Sequence, residues 1–204
     1  MICAIILAAG RSERMGAQKL LLPLGGKPLI RRVVDELSAS QVGKILVVVG
    51  SDGARMRESL TGQAVQFVQN SSAGSTMLDS VRCGLRALPP DCEAVLVALG
   101  DQPGITRLLV DALIGSFLSE SDIIVPTCQG HRGHPVLFSS RHFSEVLTCH
   151  SATGLRGFLN AHSKEVTNVA VSDPTAMEDM DTLADYQRQE KLFAKRYAET
   201  VSPP

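Results

Sequence analysis

Apolar residues fall along this chain in two kinds of pattern. Met1 to Ala8, Ile45 to Val49 and Ala94 to Leu99 are apolar at nearly every position. Strands buried on both faces carry such runs, because neither side meets water. Val65 to Val68, and Ile123 to Val125 running into Pro126, read as shorter strands. Between them the spacing becomes helical. Leu29, Ile30, Val33, Val34 and Leu37 line one face of a helix predicted over Leu29 to Ala39. Further helices are predicted over Asp52 to Leu60, over Met77 to Leu88 before Pro89-Pro90, and over Ile105 to Leu118.

This alternation of strand and helix predicts a three-layer α/β fold, a mostly parallel sheet with helices on both faces. In such sheets the ligand crevice lies beyond the carboxyl ends of the strands. The loops after Ala8 and after Leu99 occupy that position. Past Pro126 the pattern is less regular. Gln129 to Phe138 reads as a small hairpin inserted into the layout, and Ala184 to Tyr197 as a polar, charge-rich helix. With no internal repeat and no low-complexity linker, one domain is expected over residues 1–190. Residues 191–204 form the end of the last helix and a frayed tail.

Composition narrows the function. At 204 residues, 44% apolar and 20% charged, the chain can bury a full core and is not a disordered type. Its net charge of −1 gives no global attraction to nucleic acid or to an anionic membrane. Any anion site must be built locally. No apolar run is long enough to span a membrane, and the apolar start lacks the basic flank of a signal peptide. Cys3, Cys83, Cys92, Cys128 and Cys149 are odd in number and scattered, which suits free thiols in a reducing cytoplasm.

Five segments carry candidate chemistry. The first is Leu7-Ala8-Ala9-Gly10-Arg11-Ser12-Glu13-Arg14-Met15-Gly16, followed by Lys19. Small residues let a loop backbone approach phosphate closely, and Arg14 and Lys19 add positive charge. It is neither a P-loop, since Leu21 stands five before Gly26-Lys27, nor a dinucleotide fingerprint, since Ser12 replaces the second Gly. An ordinary strand-to-helix loop has equal standing. The second segment is Gly100-Asp101-Gln102-Pro103, where Asp101 either holds Mg²⁺ or caps the helix near Ile105. The third is Asp179-Met180-Asp181, where Asp181 is either a second metal carboxylate or the cap of the last helix. The fourth is His131-Arg132-Gly133-His134-Pro135. A metal reading of its two histidines lacks a third ligand. Orienting an anionic acceptor, or a plain turn, fits better. The fifth, Asn70 to Gly84, places Ser, Gly and Asn ahead of a helix N-terminus. It offers contacts to a base or ribose, or simply an N-cap from Ser75 or Asp79. His142, His150 and His162 belong to no constellation in the sequence and receive no role.

In their order, LAAGRSERMGAQKLLLPLGGKPL, DSVRCGL, GDQPGIT, HRGHPVLF and DMDTLADY resemble the MobA-like nucleotidyltransferases, and within them the molybdenum cofactor cytidylyltransferases. The resemblance runs from Ile2 to about Tyr186. It implies a Rossmann-like nucleotide-binding fold. It also implies transfer of CMP from CTP to the phosphate of molybdopterin, with release of pyrophosphate. On that resemblance Leu7, Ala8, Ala9, Gly10, Arg11, Ser12, Ser80 and Gly100 line the nucleotide. Arg14 and Lys19 hold its triphosphate, and Asp101 and Asp181 hold Mg²⁺. Gln102, Pro103, Gly133, His134 and Pro135 face the acceptor. Guanylyl-transferring relatives have LAGG, so Ala9 favours CTP. Ser151 to Arg156 lacks an acid that some relatives carry there. The same fold acting on a sugar phosphate, or a non-catalytic protein that hands cofactor to a molybdoenzyme or its chaperone, are the competing expectations.

Overall fold

The computed structural model describes residues 1–10, 18–51, 53–72, 76–118 and 121–201. Strand β1 (Ile2–Ala8) opens the chain. A ribbon of β2 (Pro23–Leu24) and β3 (Lys27–Pro28) leads into helix α1 (Leu29–Ser38), followed by β4 (Lys44–Val49), α2 (Gly53–Ser59) and β5 (Val65–Gln69). Next come α3 (Met77–Arg86), β6 (Ala94–Leu99), α4 (Arg107–Leu118), β7 (Ile123–Cys128), β8 (His131–Arg132) and β9 (Val136–Ser139). The chain ends with α5 (Phe143–Thr148), α6 (Gly154–Ala161), β10 (Val166–Ala170) and α7 (Leu183–Val201).

The main sheet has the order β10-β7-β9-β6-β1-β4-β5, with β8 paired to the end of β7. β1 lies parallel to β4 and β6, β4 to β5, and β10 to β7. The chain winds outward from β1 through β4 to β5, then crosses back to lay β6 on the other side of β1. The reversal point is therefore between β1 and β6, the position at which open α/β sheets bind their ligands.

Side chains alternate across β1. Ala4, Ile6 and Ala8 pack with the apolar face of α1 and with Val110, Leu113 and Ile114 of α4. Ile5 packs the other way, with Leu78, Val81 and Leu85 of α3 and Phe158 of α6. The five residues expected on the face of α1 are all buried. Each fully buried Leu or Ile contributes about 1.5–3 kcal/mol, so this two-sided core holds the parallel strands in register.

The region after Pro126 differs from its sequence reading. The expected hairpin forms at its base, where Gln129 (φ 50°) and Gly130 (φ 81°) turn β7 into β8. The remainder is no appendage: β9 inserts between β6 and β7, antiparallel to both. Pro126 does not end its strand, since it pairs with Val169 of β10. Its carbonyl accepts from the Gly133 N–H on the opposite side. A strand residue points its N and its C=O toward the same neighbour, so the missing N–H falls where the β9 ladder has already ended. Helices α5 and α6 and strand β10 were not foreseen.

Candidate active site

Three segments converge at the carboxyl edge of the sheet, each for a topological reason. Gly100-Asp101-Gln102-Pro103 leaves the end of β6. His134-Pro135 precedes β9, and because β9 is antiparallel its start lies at that same edge, with Val136 beside Val97. β10 is parallel to β7, so its end delivers residues 171–182 there as well. Backbone bonds lock the segments together. Gly100 N–H donates to Leu7 C=O (3.1 Å), joining the β6 loop to the end of β1, and Met180 N–H donates to Asp101 C=O (3.1 Å). Gly104 presses against the chain at Thr175 and Ala176, where a Cβ would lie 2.1 Å from the Thr175 carbonyl oxygen.

The result is a compact charged centre. Lys19 Nζ donates to Asp101 Oδ2 (2.5 Å) and to Asp181 Oδ1 (2.7 Å). These residues are 82 and 162 positions from Lys19, so only the fold unites them. The Lys19 side chain is 13% exposed and that of Asp101 19% exposed, while Asp181 is 47% exposed. Burial pulls the Lys19 ammonium down, but its bonds to the two carboxylates outweigh that and hold it above the ordinary lysine value. Beside it, burial pushes the Asp179 carboxyl up against the opposing bond from Gln102, and the nearby Asp101 and Asp181 charges push the same way.

Neither Asp101 nor Asp181 serves as a helix cap. α4 is entered through Thr106, whose hydroxyl accepts from Leu109 N–H, while Arg107 N–H donates to Glu36. α7 is entered through a reciprocal pair, Thr182 and Asp185, each side chain accepting from the other's N–H. The capping work that competed for the two aspartates is thus done by their neighbours. At α3 the ordinary reading wins instead. Thr76 and Asp79 form a capping box, so Asp79 serves the helix.

The other expected residues divide. Ala8 is buried in the core, Leu7 and Ala9 are half-buried and Gly10 is exposed at the mouth of β1. Arg11, Ser12 and Arg14 lie outside the described residues, as does Ser75. Ser80 is 5% exposed, and its hydroxyl accepts from the Asn70 side-chain amide (3.0 Å) beneath the β5 end. Gln102, expected to face an acceptor, is 2% exposed. Its amide donates to Asp179 Oδ1 (2.8 Å) and to Met177 C=O (3.3 Å), so it braces the 177–181 segment from below. Pro103 and Gly133 are half-buried, Pro135 is buried after a cis peptide bond, and Gly133 is covered by Met177. His134 is the unexpected feature. Burial drives its pKa down to about 4, against a smaller opposing pull from Asp101, so the ring is neutral near pH 7. Its Nε2 is buried with no hydrogen-bond partner among the described residues, as is Gln102 Oε1. Buried polar atoms left this way beside a charged centre are what a ligand site presents.

The donor set fits a hard divalent cation. Asp101 and Asp181 offer carboxylate oxygens converging on one point, where positive charge is already required and the Lys19 ammonium now supplies it.

Comparison with known proteins gives the family and the fold. Over 131 residues the chain is 37% identical to the 2-C-methyl-D-erythritol 4-phosphate cytidylyltransferase of Streptomyces coelicolor, covering 60% of this chain and 48% of that protein. It thus spans about half the length of that relative. Its fold is similar to the crystal structure of Rv0371c from Mycobacterium tuberculosis H37Rv, with a TM-score of 0.84 and 25% identity over 93% of this chain and 97% of that one. A structure of the same protein in complex with manganese superposes with a TM-score of 0.80 at 24% identity, again over 93% and 97% of the two chains. Residues 4–166, from β1 to the start of β10, match the model of the MobA-like NTP transferase domain, and the chain belongs to that family.

Proposed function

We propose that this chain is a divalent-metal-dependent nucleotidyltransferase that moves CMP from CTP to the phosphate of molybdopterin, releasing pyrophosphate. The observation that carries the reaction class is the Asp101–Lys19–Asp181 centre at the sheet's reversal point, beside the small-residue loop that leaves β1. An acceptor phosphate oxygen is already anionic near neutral pH, so the reaction needs positioning and charge neutralisation more than a strong base. His134, held neutral, fits that requirement as a hydrogen-bonding group rather than a proton acceptor.

The residues divide the work. The backbone of Ala8, Ala9 and Gly10 approaches the nucleotide, and Ala9 narrows the choice toward CTP. Lys19, with Arg14, supplies charge to the triphosphate and to the departing pyrophosphate. Asp101 and Asp181 hold the cation, Mg²⁺ or a close substitute. When bound, it neutralises charge on the nucleotide phosphates. Gly133, His134, Pro135 and Pro103 border the acceptor side, with Gln102 positioning the Asp179 segment. The molybdopterin acceptor rests on the resemblance of GDQP, RGHPVLF and DMDT to the cytidylyltransferase branch.

A second reading keeps the donor and changes the acceptor. The 37% identity to a cytidylyltransferase named for 2-C-methyl-D-erythritol 4-phosphate favours a phosphorylated polyol. Calorimetric titration of the full chain with CTP, GTP, ATP and UTP in Mg²⁺, beside Asp101→Ala, tests the donor. CTP preference lost in the variant supports the reading, and preference for another nucleotide overturns the CTP assignment. Pyrophosphate release with molybdopterin and with 2-C-methyl-D-erythritol 4-phosphate then decides between acceptors. Release with only the polyol phosphate removes molybdopterin.

A further inference from the structure

The three histidines without a place in any sequence motif come together in the fold. β9 runs antiparallel to β6, so Ser139 lies beside Ala94 at the amino edge of the sheet. The chain then turns through Ser140–His142 into α5. The Lys19 centre is at the opposite edge, separated by a six-residue strand, roughly 20 Å. At this amino edge His142 precedes α5, Glu145 sits in its first turn, and His162 closes α6. Arg82 of α3 fixes the C-terminal end of α5 by donating to Val146 C=O (3.0 Å) and Cys149 C=O (2.6 Å).

One ligating atom from each of His142, Glu145 and His162 lies within 4.8 Å of the other two. Glu145 Oε2 faces His162 Nε2 at 2.8 Å. Both groups are then held from behind. His162 Nδ1 lies 3.1 Å from Glu165 Oε1, and Glu145 Oε1 lies 2.7 Å from His150 Nε2. A carboxylate on the far nitrogen of a histidine is the support that metal-binding imidazoles typically have. His142 is 8% exposed, and its Nε2 is buried without a hydrogen-bond partner among the described residues. Phe158 contacts all three imidazoles, at ring-centroid distances of 5.0–5.9 Å, and limits their motion. His162 and Glu145 remain partly exposed, at 19% and 32%, which leaves an entry path.

We propose that His142, Glu145 and His162 form a separate site for a divalent transition metal of the Zn²⁺ class, with water completing the coordination. Imidazole nitrogens with one carboxylate suit Zn²⁺ and its first-row neighbours and do not suit Mg²⁺. Donor atoms around tetrahedral Zn²⁺ stand about 3.3–3.4 Å apart, given bonds of about 2.0–2.1 Å. The three donor atoms, within 4.8 Å of one another, must draw together by about an ångström or more to reach that spacing on binding. The site joins α5 to α6 and makes no use of the nucleotide crevice, so its role is to brace this edge of the domain.

The test is calorimetric titration of the chelator-treated full chain with Zn²⁺, with thermal melting and the visible spectrum of the Co²⁺-loaded protein as independent readouts. The expected result is one Zn²⁺ per chain at micromolar affinity or tighter, a rise in Tm of several degrees, and Co²⁺ absorption of a low-coordinate site. His162→Asn and Glu145→Gln should each weaken binding at least tenfold. Glu145→Gln is nearly isosteric on a partly exposed side chain, so its circular dichroism should match the parent. Asp101→Asn and Cys149→Ser should bind Zn²⁺ as the parent does. Absence of binding at 100 μM Zn²⁺, survival of binding in both cluster variants, or its loss in Asp101→Asn or Cys149→Ser would each overturn the proposal.

Discussion

In the proposed reaction Asp101 and Lys19 carry much of the chemistry, and their removal has separable consequences. Asp101→Ala takes away one of the two carboxylates that converge on the cation position. Its backbone carbonyl still receives Met180 N–H, so the loop has reason to stay in place. The expected outcome is a loss of kcat/KM of about 10²–10³ or more, with an unchanged far-ultraviolet circular dichroism spectrum. Near-parental turnover at saturating Mg²⁺ would remove Asp101 from the reaction. Lys19→Ala tests another property, because an ammonium acting mainly on developing charge contributes in the transition state. Turnover should fall about 10²-fold while the CTP Michaelis constant changes little; a raised constant with intact turnover would make Lys19 a ground-state binder. Residue types and local order pointed to both positions, whereas their 2.5 Å contact depends on strands that the sequence does not visibly pair. Gln102 illustrates the limit of such reading. The resemblance placed it facing the acceptor, and nothing in GDQP reveals that Asp179, 77 residues away, claims its amide.

The helices are where local sequence rules and tertiary packing can be weighed separately. Two of them start with the same reciprocal device, Thr76 with Asp79 at α3 and Thr182 with Asp185 at α7. Thr76→Ala and Thr182→Ala should each cost about 1 kcal/mol, read as a lower midpoint in urea unfolding. The acids carry a pH signature. Bonds from Thr76 hold the Asp79 carboxyl below its ordinary value, and bonds from Thr182 do the same for Asp185. A group whose pKa is depressed on folding adds stability that is fully present above the unfolded value and is lost as pH falls through the folded one. Melts should therefore lose stability below about pH 4, and Asp79→Asn should flatten that acid limb by lowering stability near pH 7 while leaving it little changed in acid. α1 and α3 were legible because a single apolar face fixed them. α5 was not: it has six residues, starts from a 3-10 turn, and depends on Arg82 of a distant helix for its last carbonyls. β9 was hidden for a related reason. Val136-Leu137-Phe138 is a short apolar run behind a proline, and its antiparallel insertion is determined by β6 and β7 rather than by any neighbour in sequence.

At the scale of the whole molecule, the proposed site exists because a parallel sheet delivers the end of β6 and the end of β10 to one edge, while the antiparallel β9 delivers its beginning there. That convergence makes activity sensitive to a contact that touches no substrate. Gly104 sits where the β6 loop meets the 3-10 turn at Pro174–Met177, and an added Cβ would lie 2.1 Å from Thr175 O and 2.6 Å from Ala176 Cα. Both atoms belong to the backbone, so the turn itself must move, and Asp179 and Asp181 follow a few residues later. Gly104→Ala should therefore lower kcat/KM at least tenfold by pulling Asp181 from the Asp101–Lys19 pair, with a stability cost of about 1–3 kcal/mol. Gly115→Ala supplies the contrast. It lies within α4, and among the described residues nothing comes within 4 Å of the position its Cβ would take. There the helix gains about 1 kcal/mol and turnover should not change. If Gly104→Ala loses stability while turnover at saturating substrate and Mg²⁺ stays parental, the 174–182 segment does not position a catalytic carboxylate. The second metal ligand would then have to be sought elsewhere in the crevice.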